Sequence, residues 1–158
     1  MDRFIKVVVF LALIYGSLVA YSYFNPNFQL SKYTPVALIA SNRDNTRKDD
    51  LKRIQQALGF YWRDHGSYPA AVGWCGFISS TLYPQAKEAI ETYFPNGEVP
   101  KDPSSAESNT GYFYVHVDSR HYALLAHLET LTGDSPVYEY KGCNNWPSGG
   151  NYNYQVTN

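Results

Sequence analysis

The stretch VVVFLALIYGSLVAYSYF, Val7 to Phe24, contains eighteen residues without a charge, and Phe4 and Ile5 extend it to bilayer length. This pattern predicts a membrane helix over residues 1–24, anchored by Val7, Phe10, Leu11, Leu13, Ile14, Leu18 and Val19. Arg3 and Lys6 precede the run, whereas the next positive residue is Lys32. The positive-inside tendency then places the N-terminus in the cytoplasm and the rest of a single-pass chain outside the cell (inner or cytoplasmic) membrane. Lys6 can snorkel to the headgroups, with Tyr21 and Tyr23 at the opposite interface. A cleaved secretory signal is the competing reading, with small residues at Ser17 and Ala20, although Tyr21 to Phe24 offer no small-x-small site.

Asn25, Pro26 and Asn27 stop the helix, and residues 25–41 read as a spacer carrying a short apolar patch from Pro35 to Ala40, which either packs on the domain or lies on the membrane. Residues 42–158 form the expected globular domain. Its first element is RDNTRKDDLKRIQQALGFYWRDHGSYP, in which Leu51, Ile54, Ala57, Leu58, Tyr61 and Trp62 recur at helical spacing. Leu51, Ile54, Leu58 and Tyr61 are its expected core contacts. Asp44 with Lys48 and Asp49 with Arg53 stand four apart as helix-supporting pairs, Ser41 or Asn42 is the expected cap, and Gly66 the expected end.

A shorter helix is predicted over Ser80–Tyr93, interrupted at Pro84 and stopped by Pro95-Asn96-Gly97. The period then changes to two. Tyr112–Val117 and His121–Glu129 read as a hairpin about Asp118, Ser119 and Arg120, followed by strands at Val137–Lys141 and Tyr152–Val156. Phe113, Val115 and Val117 are expected to share one face, with Tyr122, Leu124, Ala126 and Leu128 facing the core from the next strand. The fold class is therefore α+β: a long amphipathic helix packed on a three- to four-stranded antiparallel sheet.

With 158 residues, one compact domain remains after the apolar segment. A net charge of −1 with 17% charged residues offers no general attraction to phosphate, so nucleic acid is not an expected partner. Aromatics reach 16%, fifteen of them Tyr, which suits strands and half-exposed surfaces. Cys75 and Cys143 stand outside any Cys-x-x-Cys pattern and most simply form one disulfide in an exported domain, the alternative being two unrelated core residues.

The order of elements and the residues that carry it resemble the globular domain of type IV pilin-like proteins, especially pseudopilins of the type II secretion class. The Asp-Leu pair, the Ile-Gln-x-Ala-Leu core and the aromatic run into Gly-Ser-Tyr-Pro are similar to the helix signature of that family. Val99 to Pro103, VPKDP, followed by GYFYV, is similar to its Pro-Lys-Asp-Pro turn before the first strand of the sheet. The resemblance runs from about Arg43 to Leu128. It implies a pilin-like fold, protein-protein contacts with itself or other pilin-like subunits, and a cysteine pair tying the early loop to the C-terminal strand region. The leader departs from the family pattern, with Lys6 in place of an early glutamate and a Pro-containing spacer before Arg43. A tethered subunit or accessory protein of an envelope filament or secretion-related assembly fits better than a major filament subunit. A stand-alone membrane-anchored extracellular binding or adhesion domain is the rival.

Several pseudopilins bind calcium through acidic C-terminal loops. Here Asp102, Asp118 and Asp134 are the candidates, and their expected role is instead to bond their own turns. His116, His121 and His127 are expected as solvent-facing strand residues rather than metal ligands. Cys75 lacks a protease signature, and no serine elbow, phosphate loop or zinc-protease motif occurs, so no enzyme activity and no cofactor are expected. Trp146 and the loop Gly142–Gly150 are the expected place for a glycan or protein ligand.

Overall fold

The computed structural model describes residues 2–25, 28, 30–104, 111–130, 143 and 152–158. It divides into two compact units, Met1–Ala40 and Ser41–Asn158.

The first unit is built on α1, Asp2–Phe24. Its 23 residues span about 35 Å at the ordinary rise per residue. The hydroxyls of Ser17 and Ser22 donate back to the carbonyls of Ile14 (2.8 Å) and Val19 (2.7 Å), so neither needs water. After α1, the Phe28 ring meets Tyr21 edge-on at 5.2 Å and stacks on Tyr33 at 5.4 Å. A single 3₁₀ turn follows over Leu30–Tyr33.

The second helix, α2, runs Pro35–His65 and so begins earlier than the expected cap at Ser41 or Asn42. The reason is local chemistry. Thr34 Oγ1 accepts the Ala37 N–H at 3.2 Å, and Pro35 occupies the first helical position, where its missing N–H costs nothing. The apolar stretch Pro35–Ala40 is therefore helix. Gly66, at φ 73°, ends α2 as expected, its N–H donating to Trp62 O at 2.7 Å.

In the second unit, four strands form one antiparallel sheet in chain order: β1 Cys75–Phe77, β2 Phe113–Asp118, β3 His121–Ala126 and β4 Tyr154–Thr157. Strand β1 was not foreseen, because three residues carry no readable alternation. The strand expected at Val137–Lys141 lies outside the described residues. Helix α3, Gln85–Ile90, begins only after Pro84 and continues into a 3₁₀ turn over Glu91–Tyr93, so the expected helix is shorter than Ser80–Tyr93. Strand β3 stops at Ala126 rather than Glu129. Beyond it Asn153 takes over the ladder, its side chain bonding both the N–H (2.7 Å) and the C=O (2.8 Å) of Leu128.

The register decides which face of β2 meets α2. Tyr114 lies opposite Leu124 and His116 opposite Tyr122, whereas Phe113 and Val115 lie opposite Leu125 and Ala123. Tyr112 and Tyr114, not Phe113 and Val115, therefore join Tyr122, Leu124 and Ala126 in the core with Leu51, Ile54 and Leu58 of α2, and Tyr61 packs against this core. Phe113, Val115, Ala123 and Leu125 form a second cluster with Cys143 and Tyr152 on the opposite face. Both faces of the β2–β3 pair are thus buried. A register shift between His116 and Asp118 leaves Val117 partly exposed instead of aligned with Val115. Trp62 is also partly exposed, its indole N–H donating to Ser119 O at 3.2 Å.

Candidate functional site

The residues expected to anchor the chain, Val7, Phe10, Leu11, Leu13, Ile14, Leu18 and Val19, all lie on α1 with their side chains exposed. Over Arg3–Phe24 the helix is long and apolar enough to cross a membrane. Ala12, Gly16 and Ala20, at four-residue steps, put small residues on one side of it, and nothing approaches within 4 Å of where a Gly16 Cβ would stand. In apolar helices this spacing allows close helix–helix approach. The signal is present in the sequence as a small-xxx-small repeat.

The most organised polar feature of the globular unit sits at the start of its α2 segment. Arg47, only 2% exposed, forks onto Asp102 through Nε (2.8 Å) and Nη2 (3.1 Å). Its Nη1 donates to Asp44 (2.8 Å) and to Glu129 (2.7 Å). Asp44 in turn accepts the backbone N–H groups of Glu129 and Thr130 at 2.8 Å each and the Thr130 hydroxyl at 2.6 Å. Arg43 closes the rim through a two-point contact with Glu129. Asp102 also accepts the Ser104 N–H at 2.9 Å, so it bonds its own turn as expected and holds Arg47 besides. Nearby, Asp50 is buried and accepts the Tyr112 hydroxyl at 2.7 Å.

Positions 44, 47, 51, 54 and 58 follow one helical stripe, so the phase of the apolar stripe pointed inward at Asp44 and Arg47. Reading those residues as surface pairs missed that signal. The expected partners four apart are replaced by Asp44–Arg47, Asp49–Lys52 and Asp50–Arg53, each three apart. Lys48 instead lies over the Tyr154 ring at 5.8 Å.

The cluster shifts its acids in a definite direction. Hydrogen bonds from Arg43, with those from Arg47, overcome burial and bring the Glu129 carboxyl down to about 2. Burial pushes against ionisation of Asp44 and Asp102, yet bonds from Thr130, the Glu129 backbone and Arg47 hold the former below its ordinary value, and bonds from Arg47 and Ser104 do so for the latter. For Asp50 burial prevails over Tyr112 and Arg53, and its carboxyl is raised. Carboxyls lowered by folding stabilise the native state above their unfolded values and lose that contribution as pH falls through their folded ones. Asp50 has the opposite sign, its contribution being present at low pH and lost as pH rises. With three acids against one, the thermal midpoint should fall from about pH 5 downward towards the folded value of Glu129 near 2. Thermal unfolding across this range should show a shallower acid limb in Glu129→Gln, and an unchanged slope would rule out a contribution from Glu129.

Cys75 and Cys143 are joined as a disulfide, with Cα atoms 5.9 Å apart. Of the calcium candidates, Asp118 accepts the N–H groups of Arg120 (2.8 Å) and His121 (2.9 Å), closing the hairpin, and Asp134 lies outside the described residues. Among the described residues, no group of three or more His, Cys, Asp or Glu is placed to hold a metal. His116 is buried rather than solvent-facing: its strand packs on α2, and Nδ1 meets Ala70 O at 3.1 Å. His121 is exposed and pairs with Asp118 at 2.8 Å. Trp146 and the loop Gly142–Gly150, apart from Cys143, lie outside the described residues. A cleft of about 490 Å³ opens beside α3, lined in part by Arg53, Lys87, Phe94, Glu98 and Lys101.

No protein-family model, curated protein or solved structure matches the chain.

Proposed function

We propose that the chain is a non-enzymatic, membrane-tethered subunit, pilin-like or pseudopilin-like, of a cell-envelope filament or secretion-related assembly. It works through protein contacts, with its N-terminus in the cytoplasm and its globular unit outside. The observation that carries this reading is the bond between Arg47 and Asp102. It joins the two segments that bear the family resemblance, the amphipathic helix and the Pro-Lys-Asp-Pro turn, so the motif residues work together in the fold. The Ala12-Gly16-Ala20 stripe supports self-association in the membrane.

The test is a photo-crosslinking amino acid at Leu13 of the full chain in its native membrane. A ladder of self-linked species is expected, and Gly16→Leu should weaken it by holding neighbouring helices apart. A monomer linked only to foreign proteins would reject self-assembly. That result would favour the rival reading of a stand-alone binding domain.

A further inference from the structure

Between Val7 and Asn42 the sequence carries a single charge, Lys32, so the low-charge stretch extends well past the end of α1. From Pro35 onward it is helical, and its large side chains are bare. Val36 is 76%, Leu38 54% and Ile39 55% exposed on the first turns of α2, and Tyr33 is 60% exposed just before them. Tyr23 and Phe24 are similarly open at the end of α1. Large apolar side chains at such density are unfavourable in water, and an apolar helix flanked by Tyr and one Lys matches the chemistry of the headgroup region.

We propose that Tyr33 and the first turns of α2 form a second membrane contact, lying in the headgroup–acyl boundary of the bilayer that α1 crosses. The occupant of this apolar face is lipid, because the face continues the low-charge stretch of the membrane helix within the same compact unit. The Lys32 ammonium reaches anionic headgroups while its stem stays with the apolar surface. The segment from Tyr33 to Ala40 then acts as an interfacial element. The inference rests on the membrane-anchor part of the proposed function, but not on self-assembly.

The experiment uses the full chain in vesicles of phosphatidylcholine and phosphatidylglycerol. Nitroxide labels are placed one at a time on V36C, I39C, L11C and K52C, with the native disulfide kept. Collisions with oxygen, which partitions into lipid, are compared with those of a water-soluble nickel chelate. Labels at 36 and 39 should favour oxygen as the label at 11 does, with the ratio reversed at 52, where the native lysine is exposed. Nickel access at 36 and 39 equal to that at 52 would overturn the proposal. So would shielding from both reagents, which would mean that protein covers the patch. Loss of oxygen preference at 11 would instead show that the anchor reading has failed.

Discussion

Arg47→Met is expected to lower the unfolding free energy by about 3–5 kcal/mol at neutral pH, the usual effect of removing one partner from a buried ion pair. Arg47 is the hub: its guanidinium meets Asp44, Asp102 and Glu129, and both its own side chain and those of the two aspartates are buried. Methionine fills similar space but leaves these acids without their cation. Arg47→Lys should restore only part of the loss, since one ammonium cannot reproduce the planar fork onto Asp102. The exposed Asp49–Lys52 pair supplies the contrast, and Lys52→Ala should change stability by less than about 0.5 kcal/mol. Denaturant unfolding of the full chain in detergent measures all three. The gap between wild type and Arg47→Met should narrow in acid, where the acids take up protons and no longer need the cation. A loss below about 1 kcal/mol at neutral pH would mean that the cluster does not stabilise the fold.

Breaking the Cys75–Cys143 bond should cost about 4 kcal/mol, because it closes a loop of 68 residues and restricts the unfolded chain accordingly. The bond also has a place in the folded state. Cys75 begins the edge strand β1, paired with Val115, while Cys143 packs in the second core cluster with Phe113, Leu125 and Tyr152. It therefore attaches the C-terminal part of the chain to the sheet face away from α2. Cys75→Ser with Cys143→Ser should match wild type measured under reducing conditions, and reductant should have no further effect on the double variant. Identical denaturation midpoints with and without full reduction, verified by intact mass, would contradict this account.

The apolar helix, the stripe on α2 and the β2–β3 hairpin were legible because each is written in neighbouring residues. A charge-free run, a 3.6-residue period and an alternation about Asp-Ser-Arg are local signals. The start of α2 was also written locally, in Thr34-Pro35, but the apolar stretch after it was read as a spacer. Strand β1 was not legible, since Cys75 to Phe77 becomes a strand only by pairing with β2. Which face of β2 meets α2 was not legible because β2 is buried on both sides, and alternation cannot choose between two buried faces.

The charge cluster divides the same way. Its helical half followed from the sequence, as the buried stripe of α2 extends through Arg47 to Asp44. Its other half did not, because Asp102 and Glu129 lie 55 and 82 residues further along the chain. The sequence by itself determined the apolar helix, the buried stripe of α2 and the β2–β3 hairpin, since hydrophobic periodicity and turn chemistry act over a few residues. Only the tertiary structure decided which acids surround Arg47, which sheet face meets α2 and which strand carries Cys75, because those choices depend on distant segments removing one another from water.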